Sequence, residues 1–237
     1  MLTHVSQVAA IVPAAGSGSR LAAAPTDSGL PKPLRRLGRD TLLRHAVRSV
    51  ERHADQIVVP APAEWIDEIR ASLADVPLVV DVVEGGPTRQ RSVELALAAV
   101  ERATPYVLVH DAARPLTPSA VTERVVAALR AGAQAVVPAV DVVDTLRQVT
   151  TDNTSRTMDR SSMRAVQTPQ GFATEVLRQA HIRAGHDQAT DDASLAESLG
   201  VDVVIVEGDV LAFKVTTALD LRLAEVVVSR DEAQEPT

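Results

Sequence analysis

At 237 residues, with 46% hydrophobic but only 2% aromatic side chains, the chain is long enough for one large domain whose core must be built from Ala, Val, Leu and Ile, and it has few platforms on which bases could stack. A formal net charge of −7, from 24 basic against 31 acidic residues, disfavours a nucleic-acid partner, which calls for a basic excess, but leaves room for a local Arg/Lys cluster that focuses field on a small anion. The lack of cysteine excludes disulfides, thiolate zinc sites and a catalytic thiol; with no apolar run near the ~18 residues of a membrane span and no signal-like pattern in residues 1–4, a soluble cytoplasmic protein without membrane partners is expected.

Taken in order, Val8 to Val12 is an apolar run that reads as a buried strand. The small residues of Ala14-Ala15-Gly16-Ser17-Gly18-Ser19-Arg20 follow it. Their backbone N–H groups are free to line an anion-binding concavity, and Arg20 and Lys32, in Leu30-Pro31-Lys32-Pro33, supply charge. A Gly-x-Gly pair after a strand also serves as a simple tight turn. Two commoner phosphate motifs do not fit. Leu21 stands where a dinucleotide fingerprint needs its third glycine, and the lysine comes too late for a P-loop.

Leu42, Leu43, Ala46, Val47 and Val50 recur at helical spacing, so a helix is expected over 41–53 with Thr41 or Asp40 as its N-cap. A strand over 56–59, a helix over 63–74 and a strand over 78–83 come next. The loop Gly85-Gly86-Pro87-Thr88-Arg89-Gln90-Arg91-Ser92 leads into a helix over 91–103, and Tyr106 to Val109 forms another buried strand. A helix over 118–131 and a strand over 135–139 complete a β-α-β alternation, which implies an α/β fold, a Rossmann-like, mostly parallel twisted sheet flanked by helices. Ligands in such sheets bind beyond the carboxyl ends of the strands, where the first loop, the Gly85 loop and His110-Asp111-Ala112-Ala113-Arg114-Pro115 gather.

The rhythm breaks at 141–167, a polar stretch that reads as two extended segments joined by an Asp152-Asn153 turn. A two-stranded arm is marginal alone, so a homodimer is expected to stabilise it. Residues 168–172 return the chain, a helix covers 174–184, and Thr190-Asp191-Asp192-Ala193-Ser194 caps a helix ending near Gly200. Strands over 203–206 and 213–215, a closing helix over 218–228 and a frayed tail over 229–237 finish one domain with 141–167 as an arm within it.

Asp111, following an apolar strand, is placed at the sheet's rim. Magnesium prefers one or two carboxylates with phosphate oxygens and water, so this position suits a metal–nucleotide ligand; the alternative is a carboxylate that caps the next turn. His110 reads first as structural. Lys214, between apolar neighbours, is either a snorkelling side chain or a ligand group. Arg160 reads as a surface charge unless a dimer carries it into the opposite cleft, and Asp191 and Asp192 as helix-capping residues.

Residues 13–20, Pro31-Lys32, Val109 to Pro115, Asp144-Thr145, Asp159-Arg160, Thr168-Pro169-Gln170, Thr190 to Ser194 and Phe213-Lys214-Val215-Thr216 together resemble the 2-C-methyl-D-erythritol 4-phosphate cytidylyltransferase family, in the family's order and over nearly the whole chain. The resemblance implies a nucleotide-diphospho-sugar transferase-like fold and transfer of CMP from CTP to the 4-phosphate of methylerythritol in non-mevalonate isoprenoid synthesis, with Mg2+ and CTP bound. The substrate phosphate attacks the α-phosphorus, so catalysis is positioning plus charge neutralisation. By position, Arg20 and Lys32 neutralise the triphosphate, Lys214 stabilises the α-phosphate and Asp111 places the metal. Ala14, Ala15, Gly16, Gly86 and Ser92 line the cytidine pocket, with Gly18, Asp111 and Ala112 counted in the same nucleotide-binding set. Arg114, Thr145 and Thr168 match the polyol-phosphate site, and Arg160 the arginine that one subunit's arm lends to the other.

Some positions depart from the family. The loop from Arg20 to Lys32 is long and expected to be mobile until CTP binds, Pro33 replaces a glutamine, Pro87 stands where an aspartate is common, and Leu211-Ala212-Phe213 leaves Asp209 as a weak candidate for a second metal carboxylate. A cytidylyltransferase for another polyol phosphate, such as ribitol 5-phosphate, and a non-catalytic nucleotide-binding regulator remain open readings.

Overall fold

The structure, a computed structural model, describes residues 7–15, 29–152, 154–185, 189 and 191–234. Gly16, Gly18, Arg20, the loop that follows them, Asn153 and Thr190 lie outside the described residues. Strand β1 (Val8–Ile11) is buried throughout, and a short 3-10 turn (Lys32–Leu34) leads to the two-residue strands β2 (Arg36–Leu37) and β3 (Asp40–Thr41). Pro33 fits that turn because the first N–H groups of a helical turn have no internal partner to lose. Helix α1 (Leu42–Glu51) starts where the Thr41 hydroxyl accepts from Arg44 N, and its apolar stripe Leu42, Leu43, Ala46, Val47 and Val50 is buried as its spacing requires.

Then come β4 (Gln56–Ala61), α2 (Ile66–Ser72), β5 (Val79–Glu84), α3 (Arg89–Ala99), β6 (Tyr106–Val109), α4 (Ser119–Arg130) and β7 (Ala135–Asp141). Two helices sit differently from their expected spans. A 3-10 turn over Ala63–Trp65 precedes α2. Helix α3 begins at Arg89 rather than 91, because Thr88 caps it by accepting from Arg91 N, and ends before the extended Val100. The remaining elements are β8 (Arg147–Val149), β9 (Ser155–Thr157), β10 (Arg164–Val166), β11 (Gln170–Ala173), α5 (Thr174–Ala184), α6 (Asp192–Ser198), β12 (Val203–Glu207) and α7 (Ala218–Gln234).

Among the described residues, eight strands form one sheet in the order β10-β7-β11-β6-β1-β4-β5, with β12 also paired to β7. The pairs β6–β1, β1–β4, β4–β5 and β7–β12 are parallel, while β10 and β11 run antiparallel to their neighbours. Alternate residues of β1 serve opposite faces. Val8 and Ala10 pack with α1, Ile69 of α2 and Leu129 of α4, whereas Ala9 and Ile11 pack with Val93 and Leu97 of α3, Leu177 of α5 and Ala196 of α6. A fully buried strand flanked on both faces is what the continuous apolar run of β1 encodes.

Strand β11 corrects the sequence reading, which took 168–172 as a connector. Its short Gln-Gly-Phe-Ala run lacks the β-branched residues that mark a strand, yet it fills the space between β6 and β7. Gly171 is required there, since a Cβ would lie 2.5 Å from Val125 and 2.8 Å from Leu129 of α4. Two further corrections concern the end of the chain. Residues 213–215 form no ladder strand and are held by Val215 N donating to Ala113 O at 2.8 Å. Helix α7 runs on to Gln234 instead of stopping at Val228. A third cluster of Leu37, Leu42, Val215, Ala224 and Val228 packs α7 against β2 and the 213–215 segment. The arm has the expected form, β8 and β9 pairing antiparallel with Arg147 opposite Thr157, and its return strand β10 joins the edge of β7.

Candidate active site

The loops that leave the strands continue their ladders before diverging. Val12 N donates to Val58 O and Ala14 N to Pro60 O, both at 2.9 Å, His110 N to Ile11 O at 2.9 Å, and Gly85 N to Ala61 O at 2.7 Å. This brings Ala14, Ala15, the Gly85–Gly86 loop and residues 110–114 to one rim of the sheet. Gly85 permits the closest of these approaches, because a Cβ there would fall 2.6 Å from Ala15 Cβ. Ser92, from the first turns of α3, ties the second loop together. Its hydroxyl accepts from Gly86 N at 3.0 Å and donates to Thr88 O at 2.8 Å, so it is a buried brace for the backbone of that loop.

Asp111 is the centre of the rim's electrostatics. Its Oδ1 accepts from Arg89 Nε at 3.1 Å, its Oδ2 accepts from Lys214 Nζ at 2.8 Å, and Arg114 Nε lies 3.9 Å from Oδ2. Burial pushes the Asp111 carboxyl upward, but Arg89, Lys214 and Arg114 outweigh it and hold the group well below the usual carboxylate range. The cluster is thus a carboxylate surrounded by cations, with positive charge left over for an anionic ligand. Arg114 donates to Ala212 O at 2.6 Å and to Val166 O at 3.3 Å, while its buried Nε has no hydrogen-bond partner among the described residues.

Lys32 and Lys214, far apart in sequence, meet at one segment. Lys32 Nζ donates to Val215 O, next to Lys214, and the buried side chains of Ala212 and Val215 anchor that segment on both sides of the lysine. Burying a valine stabilises by roughly 1.5–3 kcal/mol. The apolar flanks that made Lys214 look like a snorkelling residue are the anchors that aim it at Asp111.

His110 is fully buried, its Nδ1 3.0 Å from Thr168 Oγ1 and its Nε2 3.1 Å from Ser49 Oγ. Burial pushes its pKa down to about 4, against a smaller upward pull from Asp111. This is the structural role the sequence suggested. Thr168, at the cis Thr168–Pro169 bond, is buried and accepts from Asp111 N at 3.0 Å, so its hydroxyl supports the Asp111 loop from below. Ala112 is buried beside them. Asp209 caps a short turn by accepting from Leu211 N at 2.8 Å. Thr145 and Arg160 belong to the arm; Arg160 donates to Val142 O at 3.4 Å and to Val143 O, and among the described contacts neither residue reaches the Asp111 cluster.

Sequence reasoning missed Arg89, which sat in plain view in the Gly85 loop. It also read Asp192 as a cap, whereas Asp191 caps α6 by accepting from Ser194 N and Asp192 turns inward to Arg89 and His181. Two adjacent aspartates at a helix start were the available signal, since one cap needs only one carboxylate.

The sequence profile of the 2-C-methyl-D-erythritol 4-phosphate cytidylyltransferases matches residues 8–230. A protein of that name from Saccharopolyspora erythraea is 48% identical over 231 residues, covering 94% of this chain and 99% of its own. Another from Nocardia farcinica is 49% identical over 230 residues, covering 95% and 96%. The crystal structure of the Thermus thermophilus enzyme of that name superimposes with a TM-score of 0.76 at 36% identity, over 94% of this chain and 99% of the other. A 4-diphosphocytidyl-2C-methyl-D-erythritol synthase from Anaerococcus prevotii superimposes with a TM-score of 0.81 at 26% identity, over 94% and 98%. With a profile match spanning the sheet and every loop that meets at Asp111, this chain belongs to the 2-C-methyl-D-erythritol 4-phosphate cytidylyltransferase family.

Proposed function

We propose that the protein transfers CMP from CTP to the 4-phosphate of 2-C-methyl-D-erythritol, forming 4-diphosphocytidyl-2-C-methyl-D-erythritol and releasing diphosphate, in isoprenoid precursor synthesis. The observation that carries this reading is the placement of Asp111 among Arg89, Lys214 and Arg114 at the rim where the family's nucleotide loops meet. An acceptor phosphate oxygen attacks the α-phosphorus, the bond to the β-phosphate oxygen breaks, and the electron pair leaves with diphosphate. The acceptor phosphate is already anionic near neutral pH, so no side chain has to remove a proton. Lys214 is suited to neutralise charge that grows on the α-phosphate, and Lys32 and Arg20 that on the leaving group. Arg114, whose Nε makes no hydrogen bond among the described residues and lies 3.9 Å from Asp111 Oδ2, is suited to an acceptor phosphate. Ala14, Ala15, Gly16, Gly18, Gly86 and Ala112 supply backbone around the nucleotide, with Ser92 bracing it.

Asp111 fits a magnesium site of the kind completed by substrate. It is a single ionised carboxylate, no group of three or more acidic or histidine ligands occurs among the described residues, and magnesium commonly pairs one carboxylate with phosphate oxygens and water. When bound, the ion would neutralise and orient the triphosphate. Asp111 would hold it through a carboxylate oxygen, with Lys214, hydrogen-bonded to Oδ2, beside the phosphates.

The same reading includes a homodimer in which the arm, 141–167, brings Thr145 and Arg160 to a partner's acceptor site, within an otherwise single nucleotidyltransferase domain. It also includes a cytoplasmic location, as suits two phosphorylated substrates whose charge keeps them from crossing a bilayer unaided. No helix among the described residues is long and apolar enough to cross a membrane.

Diphosphate release from CTP with each acceptor tests the proposal. Turnover with 2-C-methyl-D-erythritol 4-phosphate is expected to exceed that with ribitol 5-phosphate. Preference for ribitol phosphate would reassign the acceptor, and CTP binding without turnover on any polyol phosphate would make the protein a nucleotide-binding regulator.

A further inference from the structure

Behind the rim a line of side chains runs inward from Lys214 to helix α5. Lys214 Nζ donates to Asp111 Oδ2 at 2.8 Å, Arg89 Nε donates to Asp111 Oδ1 at 3.1 Å, and Arg89 Nη1 donates to Asp192 Oδ2 at 2.6 Å. Asp192 Oδ1 in turn lies 3.1 Å from His181 Nε2, and these last two side chains are each only 1% exposed. A carboxylate at that depth is costly unless it is paired and hydrogen-bonded, so a buried Asp192 with two partners is a built feature of the fold.

Its geometric effect falls on Arg89. A guanidinium is a planar fork whose donors point in fixed directions, so securing Nη1 on Asp192 decides where Nε points. Arg89 is the first residue of α3 and Asp192 the first of α6; neither helix end could fix the side chain by itself. Helix α6 is placed by Gln170 of β11, which donates to Asp191 Oδ2 at 2.8 Å and accepts from Ala193 N at 3.1 Å. Among the described residues the His181 side chain makes one hydrogen bond, to Asp192, and its buried Nδ1 has no partner. The imidazole therefore acts on the rest of the line through Asp192 alone.

We propose that Asp192 and His181 are positioning residues for cytidylyl transfer, acting through Arg89 to hold Asp111, and with it Lys214, in the orientation the reacting phosphates require. The proposal rests on the reading of Asp111 and Lys214 as parts of the active site. Asp192 keeps one face of the Arg89 fork occupied, which leaves Asp111 with one oxygen bound to Arg89 and the other turned to Lys214. His181 keeps the Asp192 carboxylate from rotating away from Arg89.

Steady-state kinetics on the full chain, with both substrates varied, tests this. Asp192→Asn, which keeps the shape and loses the charge, should lower kcat by roughly 10- to 100-fold while KM for each substrate changes less than about threefold, the size of effect seen when a supporting residue lets a reacting group shift. Arg89→Met/Asp192→Asn should be no slower than Arg89→Met alone, because the effect of Asp192 passes through Arg89. His181→Leu should lower kcat about tenfold and His181→Gln, whose amide can donate to the same oxygen, should restore it. Wild-type kcat in Asp192→Asn, full additivity in the double variant, or equal loss in both His181 variants would overturn the proposal. Lys214→Ala separates it from the reading beneath it. Normal turnover there removes the site itself, and with it the proposal, whereas a dead Lys214→Ala beside a normal Asp192→Asn removes the relay alone.

Discussion

At the scale of single residues, His110 is the group whose protonation the fold controls most plainly. Burial pushes its pKa down to about 4 from an ordinary 6.5. Between those two values the unfolded chain binds more protons than the folded one, so this contribution to stability is fully present above about pH 6.5 and is lost as pH falls toward 4, by on the order of 3 kcal/mol. Urea unfolding between pH 7 and pH 4.5 should show that loss, and His110→Asn should flatten it. An unchanged slope in the variant would assign the effect to other groups, such as His45 and His53, which burial shifts the same way. Asp111 does not enter this window, since its three cations keep it ionised well below it. Of the residues singled out from sequence, Asp111 and Lys214 are joined directly, and Lys32 reaches the carbonyl beside Lys214. Arg89 and Asp192 escaped because a charged residue at a helix start has an ordinary explanation, and only the packing of two helix ends reveals the other one.

At the scale of elements, Gly85 controls how closely two loops approach. An added Cβ would meet Ala15 Cβ at 2.6 Å and Ala61 O at 3.3 Å, and neither a methyl group nor a backbone carbonyl can swing aside. Gly85→Ala should therefore separate the β1 loop from the Gly85 loop at an overpacking cost of about 1–3 kcal/mol, raising KM for CTP about tenfold with a smaller change in kcat. An unchanged KM in that variant would mean that the two loops do not share the nucleotide. Helices α1 and α4 were readable because their apolar spacing is the face they bury. Strand β11 was not, because its place is defined by the gap between β6 and β7 and by the helix above Gly171, neither of which is local to its four residues.

At the scale of the whole molecule, the arm remains to be covered. Strands β8 and β9 are exposed along their length, and Val143 and Val149 stand 80% and 64% exposed. A two-stranded ribbon is marginal in water without further packing. The protein should sediment at twice the 25.1 kDa of one chain, and Arg160→Ala should raise KM for the polyol phosphate while leaving CTP affinity unchanged. A monomer at micromolar concentration would overturn the dimer, and weakened CTP binding in Arg160→Ala would move the arm away from the acceptor.

The sequence by itself determined the alternation of strands and helices, the rim on which the loops after the strands gather, and Asp111 as a carboxylate placed on that rim by the apolar strand before it. These are local properties, because apolar periodicity and the residue that follows a strand are written in consecutive positions. Tertiary structure alone decided the antiparallel insertion of β11, the anchoring of Lys214 by Ala212 and Val215, and the line from Asp111 through Arg89 to Asp192 and His181. Each of those depends on which surfaces meet across long stretches of chain, as from Arg89 to Asp192, a separation of 103 positions, and the energy that fixes them comes from burying and pairing groups that no local pattern connects.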